Sequence, residues 1–178
     1  MPHVFLPERD DLSLEARVLW DARVANDGEI TNMKRTLLHA PVAYDALMTW
    51  FPLRDALLPR IGERGVIVFS HAISTTNDCL LCSLYFRRTL LARGEDPEAR
   101  YDLNAEEADL AEFGRSLAAD GRASDELTGR LRERYGEDGL VELVAFAGLM
   151  AATNLVNTAL GIDLDSELLA LHTAGVRE

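Results

Sequence analysis

Residues 75–88, TTNDCLLCSLYFRR, place the two cysteines of the chain three positions apart, directly after residues that favour a helix start. If Asn77 or Asp78 is the N-cap, Cys79 lies in the first helical turn and Cys82 at or just past its end, both on one helix face. Three-residue spacing then brings the two sulfurs within disulfide reach. The stretch therefore predicts a CxxC pair at a helix N-terminus.

The segments on both sides of the pair also have helical periodicity. Apolar residues recur at three and four positions, and no run alternates with a period of two, so the sequence predicts an all-α fold of about seven to eight helices. Ser13, Asn104 and Ser124 are suited to cap three of them. The predicted helices cover about 13–24, 31–40, 42–58 with a bend at Pro52, 59–74, 78–93, 104–118, 124–135 and 139–160. Residues 94–104 are predicted to form a loop.

Composition restricts the class of protein. A length of 178 residues is typical of a single domain, so we predict one domain over residues 1–178. The formal net charge of -12 repels phosphate backbones and anionic lipid surfaces, and no basic cluster offsets it. We therefore expect no nucleic-acid partner and no membrane partner.

Two further segments bear on the location of the protein. The N-terminal residues MPHVFLPERDD lack the basic start and apolar stretch of a signal peptide, which predicts a cytoplasmic protein. Residues 143–162 carry no charge and are long enough to span a bilayer, but Asn, Thr and Gly dilute the run. We interpret this run as a buried central helix.

The cysteine pair has three interpretations. Unpaired amides and the helix dipole stabilise a thiolate at a helix N-terminus and lower its pKa, which favours a redox dithiol. Two inert buried thiols are the plainer alternative, because free cysteine packs as a small hydrophobe. A zinc site needs four ligands, and the chain has no second CxxC and only four histidines, so we predict no metal and no bound cofactor.

Thiol chemistry also requires groups that accept and return protons. Glu63 and His71 are eight residues apart on one predicted helix and lie within about 80° of each other around its axis. Both can then face the same neighbour. His71 interrupts an apolar stretch, where a histidine is also common as a hydrogen-bonded core residue.

Five segments follow one another along the chain: LLHAPVAYDAL, GERGVIVFSHAISTTNDCLLC, LNAEEADLAEFGRSLAADG, GLVELVAFAGLMAATNLVN and LGIDLD. Their order and spacing resemble the alkylhydroperoxidase D-like, carboxymuconolactone decarboxylase superfamily. The resemblance covers about residues 32–165 and leaves residues 1–30 as an N-terminal extension with one helix. It implies an all-α fold and homo-oligomers, often trimers or hexamers.

The resemblance also implies roles for the cysteines. In peroxidase members a glutamate precedes a CxxCxxxH motif, the second cysteine attacks the peroxide and the first resolves it. Carried over, Cys82 is the peroxidatic thiol and Cys79 the resolving thiol. The motif histidine falls on Phe86 and the glutamate on Ile67, so the residues of the proton relay are absent.

We therefore predict a thiol–disulfide oxidoreductase or alkylhydroperoxidase-like enzyme that reduces a hydroperoxide or a disulfide with electrons from an external dithiol. Glu63 and His71 lie one helical turn to either side of Ile67 and are candidates for a rearranged relay. Two alternatives stay open. One is a decarboxylase-like enzyme in which Glu63 and His71 act and the cysteines do not; the other is a helical oligomer without catalysis.

Overall fold

The computed structural model describes residues 2–95 and 102–175, which form eight α-helices and no strand. The all-α prediction is confirmed. A short 3-10 turn, Arg9–Asp11, precedes the first helix, and residues 96–101 of the predicted loop lie outside the described residues. The helices are α1 Leu14–Asp27, α2 Asn32–Leu37, α3 Pro41–Met48, α4 Trp50–Thr76, α5 Leu80–Ala92, α6 Ala105–Asp120, α7 Asp125–Leu160 and α8 Ser166–Gly175.

The three predicted N-caps are confirmed. The Ser13 side chain accepts the third amide of α1, and the Ser124 side chain accepts the third amide of α7. Asn104 caps α6 in the same way, and Glu107 completes the capping box by accepting the Asn104 amide at 3.0 Å. Each cap satisfies a backbone donor that has no partner within its helix.

The predicted boundary between helices 42–58 and 59–74 is wrong. Pro52 lies in the first turn of α4, where an amide has no helical partner to lose, so the helix begins there instead of bending. The helical run continues through Pro59 and breaks at Gly62, whose φ is 69°. α7 breaks in the same way at Gly136, with φ 77°. Glycine is suited to both breaks because it reaches positive φ without a Cβ clash.

The main core is centred on α4, which packs against α5, α6 and α7. Phe69 of α4 is fully buried and stacks between two other rings, with centroid distances of 6.2 Å to Phe113 and 5.9 Å to Phe146. Gly114 lets α6 approach this ring, because a Cβ there would lie 3.1 Å from the Phe69 carbonyl oxygen. These contacts fix α4, and with it the turn into α5.

The uncharged run predicted as a central helix lies within α7. Leu143, Phe146 and Met150 are buried in the main core, but Val144 and Leu155 of the same run are exposed, so the predicted buried helix is buried on one face only. By length and composition α7 is the one helix among the described residues that could cross a membrane. A core helix passes the same test, so this is weak evidence for a membrane span.

The close approach of α6 to α4 generates a stability prediction. Gly114→Ala places a methyl group against the Phe69 backbone, and we expect a loss of about 1–3 kcal/mol in the free energy of unfolding. Gly129→Ala is the matched control, because its Cβ meets nothing within 4 Å in α7. There we expect a gain of about 0.5–1 kcal/mol. Urea denaturation measures both, and equal stability of the two variants would contradict the packing described.

Candidate dithiol site

The turn between α4 and α5 positions the cysteine pair. The Cys79 amide donates to the Ser74 carbonyl at 3.0 Å, and the Asp78 amide donates to the Thr75 carbonyl at 3.2 Å. This is the Schellman pattern, in which the residue after the C-cap takes the left-handed conformation. Asp78 occupies that position with φ 50°, the one non-glycine residue with positive φ among those described.

Cys79 is itself the N-cap of α5, which corrects the sequence prediction of Asn77 or Asp78. Those two residues still belong to the end of α4, because the Schellman turn extends one residue further than the sequence suggested. The Cys82 amide donates to Cys79 Sγ at 3.4 Å, so one sulfur occupies the capping position and the other the third residue of the helix. The predicted CxxC at a helix N-terminus is present.

Both cysteines are free thiols and both are buried, with relative exposures of 1% for Cys79 and 5% for Cys82. Asn157 of α7 donates from Nδ2 to Cys82 Sγ at 3.1 Å. Its Oδ1 is buried without a hydrogen-bond partner. The sulfurs therefore lie in the interface between α5 and α7, where a polar side chain faces them.

The environment separates the pKa values of the two thiols. Hydrogen bonds from the Cys82 thiol and backbone amide lower the pKa of Cys79 to about 7, with smaller help from Thr158 and Asn157 and against the effect of burial. The pKa of Cys82 is raised, first by its hydrogen bond to Cys79 and then by burial. When the pair loses its first proton, with a midpoint of about pH 7, the negative charge therefore rests on Cys79.

Glu63 lies at the surface, with its side chain 69% exposed and paired to Arg93 at 2.9 Å. It lines an open groove that also contacts Ile67 and Phe86, the two positions of the absent relay residues. Ile67 and Phe86 are both buried in the main core.

His71 is half-buried on α4. Burial lowers its pKa, and the positive charge of Arg87 lowers it further, so the imidazole is neutral at neutral pH and both effects oppose its protonation. Among the described residues, neither His71 nor Glu63 has a hydrogen bond to a cysteine sulfur, and the two do not meet in one pocket.

A cavity of about 120 Å³ reaches Cys82. Residues of α2, α3, α4, α5 and α7 form its wall, and Cys79 is not among them. The Trp50 indole N–H donates to Met150 Sδ at 2.8 Å, so this side of the wall is fixed. The apolar lining is formed mainly by Met33, Met48, Trp50, Phe51, Phe86 and Met150.

Lys34 is the buried charged residue of this cavity. It is the only lysine in a chain with 18 basic residues. Its Nζ donates to Asp27 at 3.0 Å and lies 5.5 Å from the centre of the Phe51 ring. Burial lowers its pKa, while the hydrogen bond to Asp27 opposes that shift.

Sequence reasoning missed Asn157 and Lys34. Asn157 interrupts the uncharged run of residues 143–162, and a buried amide in such a run is a signal for an internal hydrogen bond. Lys34 was marked by being the single lysine among arginines. For metals, the described part of the chain has no group of three or more His, Cys, Asp or Glu side chains that could hold an ion.

The fold is that of the alkylhydroperoxidase D-like proteins, as predicted from the sequence. The chain is similar to an uncharacterized peroxidase-related protein from Silicibacter sp. TM1040, with a TM-score of 0.71 and 15% identity over 94% of this chain and 93% of that one. It is also similar to an alkylhydroperoxidase AhpD core, an uncharacterized peroxidase-related protein from Ralstonia eutropha JMP134, with a TM-score of 0.67 and 20% identity over 94% of each chain. At these identities the likeness shows the fold alone. No protein-family model and no curated protein matches the sequence.

The pKa separation generates a titration prediction. Thiolate absorbance of the reduced protein should rise by one thiolate with a midpoint of about pH 7, from Cys79, and the second thiol should ionise far above that. Cys82→Ser keeps the backbone donor and supplies a hydroxyl donor, so the lowered midpoint should persist. Cys79→Ser should abolish it. A low midpoint retained in Cys79→Ser and lost in Cys82→Ser would reverse the assignment.

Proposed function

We propose that this protein is a peroxidase-related thiol oxidoreductase that reduces a hydroperoxide with Cys82 as nucleophile and Cys79 as resolving thiol. The observation that carries the proposal is the arrangement of the pair. Cys82 lies on the wall of an apolar cavity, and a thiol of lowered pKa contacts it from the other side. A substrate in the cavity therefore contacts Cys82 before Cys79. The Cys79 thiolate, which accepts the Cys82 proton, does not line the cavity.

The reaction balances with the two sulfurs alone. The Cys82 sulfur attacks the terminal oxygen of the hydroperoxide, an S–O bond forms as the O–O bond breaks, and an alkoxide leaves. The Cys82 proton passes to the Cys79 thiolate. Cys79 then attacks the sulfenic sulfur of Cys82; the S–S bond forms, the S–O bond breaks, and water leaves with the proton that Cys79 had accepted. The alkoxide takes one proton to become the alcohol.

In this mechanism the Cys79 thiolate is the general base, in place of the relay residues that this chain lacks. The resemblance places a glutamate and a histidine where this chain has Ile67 and Phe86, and neither of those side chains can carry a proton. The Cys79 thiolate is hydrogen-bonded to Cys82, so the proton has one hydrogen bond to cross, and the transfer is uphill because the pKa of Cys79 is lowered and that of Cys82 is raised. The cysteine pair can therefore act in an apolar site, because Cys79 is the only side chain that the first proton transfer requires.

The disulfide formed in each turnover must be reduced again. We propose an external dithiol as electron donor, which attacks by thiol–disulfide exchange, and the cytoplasm as the compartment in which such donors keep cysteines reduced. A small disulfide is the alternative oxidant for the same pair. The chemistry requires neither a metal nor a bound cofactor.

Glu63 and His71 remain proposals for proton transfer to and from solvent. His71 carries a neutral imidazole with a lone pair, although its lowered pKa makes it a weak base, and the Glu63 carboxylate lines the groove beside Phe86. Glu63→Gln and His71→Gln test them: a rate unchanged in both assigns all proton transfer to the cysteines and the cavity.

The central test follows thiol loss after reduced protein is mixed with an organic hydroperoxide. We expect both thiols to disappear together and an intramolecular disulfide to form, as shown by thiol titration and mass spectrometry. Cys79→Ser should slow the first step by about 10²-fold or more, because it removes the base. Cys82→Ser should not react. Ser83→Ala, an exposed hydroxyl on the same turn, is the control and should react like the parent protein. Thiols that stay reduced would refute the proposal.

Burial of both sulfurs favours a second candidate, a helical protein that binds a small apolar molecule without catalysis. In that case the cavity is occupied by a ligand and the thiols serve only as packing. Ligand binding together with unreactive thiols would select this candidate.

We also propose that the protein assembles as a homo-oligomer through α7. Val141, Val144 and Leu155 are exposed, at 67%, 47% and 68%. At 100° per residue these positions fall within about 60° of one another around the helix, so they form one apolar stripe on its outer face. An apolar stripe on an outer helix face is suited to pack against a second copy of the same helix.

Light scattering on the size-exclusion column tests the assembly. Val144→Glu places charge in the stripe and should convert the oligomer to a monomer. Val42→Glu is the matched control, because Val42 is 83% exposed on α3, and it should leave the assembly intact. A monomeric parent protein would contradict the proposal.

A further inference from the structure

We infer that the Cys82 cavity is a substrate site for a neutral organic hydroperoxide whose apolar group is the size of one aromatic ring, with its leaving oxygen hydrogen-bonded by Lys34. This inference rests on the proposed function and names its substrate class. It follows from the size of the cavity, the chemistry of its lining and the one buried amine on its wall.

Size and lining point to an aromatic ring. An apolar cavity of about 150 Å³ is known to bind benzene, and this cavity holds about 120 Å³. Three methionines contribute to the lining, and thioether sulfurs make favourable contacts with aromatic rings. Trp50 and Phe86 add ring faces and edges for the same purpose. A long acyl chain would not fit inside and would have to extend out of the cavity.

Lys34 is the charged donor on the cavity wall with N–H groups to spare, and the Thr31 and Tyr85 hydroxyls also line the wall. The Trp50 indole N–H is used by Met150, and the Thr153 hydroxyl donates to the Leu149 carbonyl at 2.8 Å. An ammonium has three N–H donors, and the hydrogen bond to Asp27 uses one of them. A substrate oxygen in the cavity can therefore accept from Lys34 without displacing a protein contact.

Charge balance argues for a neutral substrate. The Asp27 carboxylate contacts both Arg23, at 2.7 Å, and Lys34, at 3.0 Å. Asp165 also lines the cavity, and its Oδ1 accepts the Asn32 amide at 2.8 Å. These two cations and two carboxylates cancel, and the Cys79 thiolate adds a negative charge behind Cys82, so a ligand carboxylate would add a further unpaired negative charge to a buried site. A hydroperoxide oxygen accepts a hydrogen bond without adding charge.

Lys34 also supplies the proton that the proposed reaction leaves unassigned. When the Cys82 sulfur takes the terminal oxygen, the O–O bond breaks and an alkoxide forms at the oxygen bound to the organic group. The Lys34 ammonium transfers one proton to this alkoxide, which leaves as the neutral alcohol, and the amine regains a proton from water. Burial eases this transfer because it lowers the pKa of the ammonium.

The product alcohol allows a test that needs no turnover. Of the two tryptophans, Trp50 lines the cavity, so Trp20→Phe leaves one reporter at the site. We expect benzyl alcohol to change Trp50 fluorescence saturably and benzoate to bind more weakly. Lys34→Met should weaken benzyl alcohol about tenfold, the loss of one hydrogen bond from a charged donor, and leave toluene unchanged. Arg54→Met, which alters a cation over the same tryptophan from outside the cavity, is the control and should bind all three ligands as the parent does.

A second measurement uses the unaltered protein and does not depend on the folding of Lys34→Met. Saturating benzyl alcohol should protect Cys82 from alkylation, as mapped by tandem mass spectrometry. Absent protection, or benzyl alcohol bound equally by parent and Lys34→Met, would overturn the inference. Binding with protection in a protein that reduces no hydroperoxide would refute only the proposed function. Turnover of hydroperoxides without binding or protection would refute only this site.

Discussion

The site depends on one backbone constraint, the left-handed conformation of Asp78. This residue ends α4 in a Schellman turn, and the next residue already caps α5. A non-glycine residue in this conformation costs about 1–2 kcal/mol, less for aspartate, so the surrounding helices must hold it. The stacking of Phe69 between Phe113 and Phe146 fixes the helix that enters the turn. Cys79 is thereby held where one helix ends and the next begins.

That constraint explains how an apolar site can hold an ionisable sulfur. Burial raises the pKa of a thiol, and both cysteines are buried. At Cys79 the capping position offsets this rise in pKa, because the Cys82 amide and thiol both donate hydrogen bonds to the Cys79 sulfur. The same geometry holds the proton on Cys82. Asymmetry between two chemically identical side chains therefore comes from their positions at the helix start, not from a neighbouring acid or base.

The sequence predicted the fold class, three N-caps and a CxxC pair at a helix N-terminus, because these depend on residues close in the chain. Periodicity and capping chemistry are local signals. The helix break at Gly62 was missed because Pro59, the stronger breaker by sequence, lies within the helical run. The N-cap was placed one or two residues early because a left-handed aspartate has no distinct sequence signature.

The parts of the site that come from distant segments could not be predicted. Tertiary packing alone brings Asn157 of α7 into contact with Cys82 and places Lys34 of α2 on the wall of the same cavity, 75 and 48 positions from Cys82 in the sequence. Glu63 illustrates the converse. Its spacing from His71 was suitable, yet its side chain lies at the surface and pairs with Arg93. Spacing along one helix defines a shared direction, but which neighbour lies in that direction depends on the whole fold.

The single lysine has a practical consequence. In most proteins ε-amines are scattered over the surface, and reagents directed at them report on the exterior. Here seventeen of the 18 basic residues are arginines, and the one ε-amine faces the interior beside Cys82. Acyl donors, amine-directed crosslinkers and fluorophores will therefore find no competing side chain on the outside. Apart from reaction at the α-amine of the chain terminus, the rate at which they modify Lys34 measures how often the Cys82 cavity admits reagents from solvent.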